Sequence, residues 1–180
     1  DVEIVAVCDV DLNQMAEPKT SLPNARFYQD WREMLDKEAA NIDSVNVSTP
    51  DHMHAPIGLA AMKMGKHLYG QKPLTQNLWE NRQMITRARE KGVKTQMGIQ
   101  VSSDFTERFA VAMVHSGVIG KVKEVHSFSE KDWGDLSPVP ESRDTPPDWL
   151  NWDHWLGVAQ DRAFIDGYYH PGNWRKRRDF

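Results

Sequence analysis

Cysteine is nearly absent from this 180-residue chain: Cys8 stands alone, so no internal disulfide framework can staple the fold. It lies within an apolar run and reads as a small buried hydrophobe. No apolar stretch approaches the ~20 residues that span a bilayer. Charge of one sign is also lacking. With 22 Lys and Arg against 26 Asp and Glu the formal net charge is −4, which gives no electrostatic reason to expect nucleic acid or an anionic membrane as partner. No internal repeat or low-complexity tract is found. What the chain does have is an ordinary 39% hydrophobic content, enough to build a real core.

A lead-in is missing as well. The run from Asp1 to Asp9 starts at once as a buried strand and ends on an acid, the pattern of the second strand of a dinucleotide-binding βαβ unit. Such a unit carries a Gly-x-Gly-x-x-Gly turn about 20 residues before the acid, and too few residues precede Asp9 to hold it. The other end stops at Arg178-Asp179-Phe180 without a helix stop or polar tail. The expectation is a piece of a longer protein, without its first strand and phosphate-binding turn and cut inside a second domain.

Along the chain, Leu12–Lys19 reads as a short helix broken near Pro18, and Ala25–Tyr28 as a short strand. Asp30 is placed to cap a helix through Leu35. Ile42–Val47 is a buried strand, and Ala55–Met64 a helix with Pro56 in its tolerant first turn. His67–Tyr69 is a strand, Leu78–Lys91 an amphipathic helix carrying Met84, Ile85 and Ala88 on one face and stopped by Gly92. Val93–Gly98 is the next strand, and Phe105–His115 a helix with apolar residues three and four apart. Strand and helix alternate with short connections, which argues for a parallel, doubly wound α/β sheet. The texture changes near Gly120. Val122–Ser129 alternates like a half-exposed strand, and an irregular stretch, Lys131–Asp148, carries Pro138, Pro140, Pro146 and Pro147. Five of the seven tryptophans fall between Trp133 and Trp174, so this part is aromatic-lined rather than disordered. The domain boundary is placed there, giving 1–119 and 120–180.

Two polar loops stand out. Val45-Asn46-Val47 opens into Ser48-Thr49-Pro50-Asp51-His52-Met53-His54, and His67-Leu68-Tyr69 runs into Gly70-Gln71-Lys72-Pro73. Both would leave the carboxyl ends of neighbouring parallel strands, where open α/β sheets bind ligands. Pro50 restrains Thr49 to extended backbone. His52 and His54, preceded by Asp51, also have the alternate spacing of a metal-ligand pair on an extended chain. Asp9 is either a ribose-binding carboxylate or a cap for the segment beginning near Asp11. Lys72 against Pro73 is a candidate for proton chemistry, or else a surface loop. The run Arg175-Lys176-Arg177-Arg178 passes for a basic patch, but at this net charge a partly solvated strand or loop is the better reading.

The Ser48–His54 loop, the Gly65-Lys66-His67 turn and the Lys72-Pro73 pair together resemble the glucose-fructose oxidoreductase/inositol dehydrogenase (Gfo/Idh/MocA) superfamily, and the likeness extends to Trp174-Arg175. The resemblance implies an incomplete Rossmann-type sheet followed by the start of an α+β substrate domain. It also implies an NAD(P)-dependent oxidoreductase that moves hydride between a sugar, polyol or related secondary alcohol and the nicotinamide. Asp9 would take the adenosine ribose, favouring NAD with NADP as the alternative. Ser48, Thr49, Pro50, His52 and His54 would line the cofactor; Gln71, Lys72 and Pro73 would meet the nicotinamide, with Lys72 catalytic. Gln100, Trp174 and Arg175 would approach the same cleft. The family pattern has Glu where Gln71 stands, so the charge that would support a protonated Lys72 is absent at that position. The family's acid/base histidine would fall past Phe180. A homo-oligomer is expected of the full-length protein, with neither nucleic acid nor membrane as partner, no metal, and the cytoplasm as default address. An NAD-dependent glycosidase of the same fold and a non-catalytic sensor are the alternatives.

Overall fold

The computed structural model describes residues 2–131 and 134–180. Asp1, at the head of the expected first strand, and Asp132 and Trp133, in the expected irregular and aromatic-lined region, lie outside the described residues. Strand β1 (Ala6–Cys8) leads through a 3-10 turn at Leu12–Met15 into α1 (Ala16–Ser21), then β2 (Arg26–Tyr28) and α2 (Trp31–Lys37). Next come β3 (Ser44–Val47), a 3-10 turn at Asp51–Met53, α3 (His54–Lys63), β4 (His67–Gln71), α4 (Leu78–Lys91), β5 (Thr95–Gly98) and α5 (Phe105–His115). A helix between successive strands returns the chain to the same end of the sheet, and all pairings are parallel.

β1 pairs with β2, and β3 with β4 and β4 with β5, the register setting Val47 opposite Gly70 and Gln71 opposite Gly98. β1 and β3 are not hydrogen-bonded to one another. In a doubly wound parallel sheet the ligand is taken outside the carboxyl ends of the strands.

Burial follows the periods in the sequence. In β3, Val45 and Val47 are buried while Ser44 and Asn46 are exposed. Ala61 and Met62 of α3 are fully buried and meet Leu68, Met84, Met34, Leu35 and Ile42 in one core, with Cys8 and Tyr28 packed at its edge. Burial, reinforced by the nearby Asp9, Asp30 and Glu33 carboxylates, pushes the Cys8 thiol up to about 12. Of the expected face of α4, Met84 is buried and Ala88 packs on the core, but Ile85 is exposed. Asp30 caps α2 by accepting the Arg32 N–H at 2.8 Å, and Gly92 closes α4 at φ 63°, a left-handed turn that glycine adopts without Cβ strain. Buried Glu38 accepts hydrogen bonds from Arg26, from the Tyr28 hydroxyl at 2.6 Å and from Asn41 at 2.8 Å, which ties β2 to the end of α2.

Three elements depart from expectation. Pro18 does not break the helix: it lies in the first turn of α1, where a missing N–H costs nothing. Val122–Ser129 is exposed and forms no strand, since alternation makes a strand only where the backbone finds a partner. The apolar residues Phe105 and Phe109 of α5 are exposed and stack on each other at 5.8 Å.

The last segment builds a second core. α6 (Trp152–Leu156) and a 3-10 turn at Asn173–Lys176 bring together Leu150, Trp155, Phe164, Tyr169, Trp174 and Phe180. This cluster docks on the carboxyl end of β1. Leu12 N–H donates to the Trp149 carbonyl at 2.9 Å, Asn151 N–H to that of Val10 at 3.0 Å, and His170 Nε2 lies 2.8 Å from Asp11 Oδ2. No helix among the described residues is long and apolar enough to cross a membrane.

Candidate active site

The parallel register delivers three polar segments to one end of the larger sheet, Ser48–His54 after β3, Gln71–Pro73 at the end of β4 and Gln100 after β5, while Asp9 follows β1 of the smaller sheet. Asp9 is half-buried and its Oδ1 accepts the Asp11 N–H at 2.9 Å. Burial raises its carboxyl above the usual range, partly offset by that bond and by His170. Asp9 is therefore a turn-forming residue and a strand-end carboxylate at once.

In the loop after β3, the Ser48 hydroxyl is exposed and donates to Asn46 Oδ1 at 2.9 Å, while Thr49 Oγ1 lies 3.3 Å from the Pro50 carbonyl. Pro50 is extended at φ −55° and ψ 151°. His52 and His54 are both buried but turn to different places. His52 Nε2 lies 3.1 Å from the Trp155 carbonyl and its ring meets Phe180 edge-on, so it anchors the second core; burial pushes its titration down. His54 Nδ1 lies 2.6 Å from the Pro73 carbonyl, and Nε2 lies 2.7 Å from that of Thr49. A neutral imidazole has one N–H to give, so the ring donates to one of these two carbonyls at a time. His54 thus stitches the loop after β3 to the loop after β4.

The Lys72–Pro73 peptide bond is cis, and Lys72 is exposed. Gln71 folds back on the chain, its Oε1 accepting the Lys72 backbone N–H at 2.7 Å. A Cβ on Gly98 would come within 2.8 Å of that oxygen, so the close approach of the Gln71 side chain to β5 requires glycine there. Gln100 is exposed on the turn that follows. Trp174 is buried in the second core, and the exposed Arg175 guanidinium lies over its ring at 4.2 Å.

Asp51 stands at the start of the 3-10 turn. It is half-buried, and burial raises its carboxyl while the charges of His54, Arg175 and Lys72 pull it back. Asp9 stands with the other strand pair, beside Asp11 and His170. Sequence reading passed over Asp11 and His170 and saw Asp51 only as a metal-ligand neighbour. An acid two residues after Asp9 reads as a cap, and nothing local signals a partner 159 positions away.

A doubly wound parallel sheet with polar loops gathered at the carboxyl ends of its strands defines a dinucleotide-binding domain of the Rossmann type. Residues 1–99 match the family model described as "Oxidoreductase family, NAD-binding Rossmann fold", and the chain belongs to that family, Gfo/Idh/MocA. It is 25% identical over 164 residues to levoglucosan dehydrogenase of Pseudarthrobacter phenanthrenivorans, covering 91% of this chain and 39% of that protein. It is 29% identical over 130 residues to a glycosyl hydrolase family 109 protein of Shewanella pealeana, covering 67% of this chain and 28% of the other. Among solved structures, myo-inositol 2-dehydrogenase of Lactobacillus plantarum superposes with a TM-score of 0.61 at 30% identity, covering 67% of this chain and 35% of that one. The chain spans less than half the length of each of these relatives.

Proposed function

We propose that the protein is an NAD-dependent dehydrogenase that oxidises a CH–OH group of a sugar or polyol, or reduces the corresponding ketone. The observation that carries this reading is the placement of Thr49, Lys72 and Gln100 beyond the carboxyl ends of the paired parallel strands β3, β4 and β5 in a chain of this family. The residues fit the cofactor by the chemistry of their donors. Asp9 offers a carboxylate for the ribose diol, which would repel a 2′-phosphate and so prefers NAD to NADP. Ser48, Thr49 and Pro50 offer hydroxyl and peptide groups, Gln71 an amide and Gln100 another. When bound, the nicotinamide supplies the hydride acceptor or donor. The chain's own residues bind, orient and move protons. The Lys72 ammonium donates a hydrogen bond to the reacting oxygen, stabilises alkoxide charge as it develops, and relays the proton. Arg175, with its guanidinium face fixed on Trp174, orients the ligand from the opposite wall. His52 and His54 act one layer back, holding the second core and the paired loops.

We assign residues 1–119 to the cofactor-binding part and 120–180 to the start of the substrate part. A homo-oligomeric assembly and a cytoplasmic address belong to the same reading, tested by light scattering and cell fractionation.

The deciding experiment is an NAD titration of the full-length protein, followed by a polyol panel read at the NADH absorbance band, with and without Lys72→Ala. The expected result is NADH formation that falls about 10²- to 10⁴-fold in the variant while NAD binding persists. Absence of NAD binding would overturn the proposal. The relative from glycosyl hydrolase family 109 supports one second reading, an NAD-dependent glycosidase; cleavage of an aryl glycoside without net NADH would select it. Saturable NAD binding without either reaction would select a sensor.

A further inference from the structure

We propose that His170 is a positioning residue for the Asp9 carboxylate, reaching it through Asp11 from the second core, and that it thereby helps to set the preference between NAD and NADP. The consequence rests on the reading of Asp9 as the ribose-binding group; the tie itself is geometric. Every polar group of Asp11 is engaged. Its backbone N–H donates to Asp9 Oδ1 at 2.9 Å and its carbonyl accepts the Gln14 N–H at 3.1 Å. Its Oδ1 accepts the Asn13 N–H at 2.8 Å, and its Oδ2 lies 2.8 Å from His170 Nε2. An ionised carboxylate only accepts, so His170 donates from Nε2. Asp11 is 2% exposed, which leaves water little access to replace that donor.

The second core meets this turn along its backbone as well. Leu12 N–H donates to the Trp149 carbonyl at 2.9 Å, Asn151 N–H to that of Val10 at 3.0 Å, and an antiparallel bridge joins Asp11 to Leu150. Gln29 Nε2 donates to the same Val10 carbonyl at 2.9 Å. These contacts hold the backbone of the turn, whereas His170 holds the Asp11 side chain. Without the ring donor a buried carboxylate oxygen loses its partner, a costly state that Asp11 leaves by turning to water. The turn from Asp9 to Asn13 loosens with it, and Asp9 loses the N–H that fixes its carboxylate. A fixed carboxylate at a strand end accepts from the ribose diol and repels a 2′-phosphate; a mobile one does neither well.

The test uses the full-length protein with His170→Phe, which removes the donor, and His170→Gln, whose amide can reach Asp11. The first readout needs no ligand: backbone amide exchange over 9–13 should accelerate several-fold in His170→Phe, return towards wild type in His170→Gln, and stay unchanged across α4. The second is titration with NAD and with NADP. The Kd for NAD should rise about tenfold in His170→Phe, the order of one hydrogen bond to a charged group, while that for NADP moves by about twofold at most. His170→Gln should restore the preference, and in an Asp9→Ala background His170→Phe should weaken NAD no further. A merely structural role for His170 would weaken both nucleotides alike and would persist without Asp9. Should His170→Phe not fold, His170→Asn, too short to reach Asp11, makes the same comparison. Unchanged exchange over 9–13, or an equal loss of NAD and NADP, would overturn the inference. Accelerated and rescued exchange in a protein that binds neither nucleotide would uphold the tie to Asp9 and sink the dinucleotide reading.

Discussion

Replacing His54 with phenylalanine keeps a ring of similar size and deletes both nitrogens. The ring N–H donation is lost from between the Pro73 carbonyl at 2.6 Å and the Thr49 carbonyl at 2.7 Å. A hydrogen bond is worth about 1 kcal/mol, and an acceptor left dry costs about 1 to 3 kcal/mol instead. Pro73 is exposed and Thr49 half-buried, so water can reach part of what is vacated. The expected loss is about 1 to 2 kcal/mol, or roughly 5- to 30-fold in the folding equilibrium. At an m-value of ~2 kcal/mol/M this lowers the urea midpoint by about 0.5 to 1 M. The loss has an address as well as a size: backbone amide exchange over 70–78 should accelerate, because that loop loses its tie to the β3 loop, while exchange across α5 stays as it was. A variant within ~0.5 kcal/mol of wild type, with unchanged exchange over 70–78, would refute the stitching role.

Two further predictions concern the frame. The Arg26, Tyr28 and Asn41 hydrogen bonds hold the Glu38 carboxyl down to about 2, from an ordinary 4.5. A carboxylate with a lowered folded-state value stabilises the fold fully above its unfolded value and loses that contribution as pH falls from about 4.5 to about 2. Glu38→Gln should therefore flatten the acid side of the stability curve, measured as urea midpoints from pH 3 to 6; an unchanged slope would count against the network. Asp11→Ala removes the carboxylate that both receives His170 and caps the turn at Leu12–Met15. Breaking one member of a buried pair costs about 3 kcal/mol. Denaturant titration with tryptophan fluorescence, Trp149 lying beside His170, reads both the loss and the undocking of the second core. A loss under ~1 kcal/mol would mean the pair is solvated.

Much of the frame was legible because local signals agreed with burial. The helices expected at Leu78–Lys91 and Phe105–His115 form over those residues, each with a cap and an apolar period that need no distant partner. The strands before the two polar loops are equally local: short β-branched or aromatic runs between turn residues. The Val122–Ser129 expectation failed for the converse reason, as its alternation is real but no neighbouring strand accepts its backbone. The site was legible as a set of loops. Asp9, Thr49, Lys72 and Gln100 follow strands, and parallel strands must present their carboxyl ends together.

By itself, then, the chain's sequence determined the parallel alternation, the family and the end of the sheet where chemistry collects, since these depend on period, turn residues and motif. Tertiary structure alone decided what each polar side chain does there. His52 and His54, alternate residues that on paper share one face, turn to Trp155 and to Pro73 because a 3-10 turn running into the start of α3, not an extended strand, carries them. Asp11 meets His170 because segments far apart in sequence fold together at the end of β1. Hydrogen bonds and charges depend on direction and distance, which only the packed chain defines.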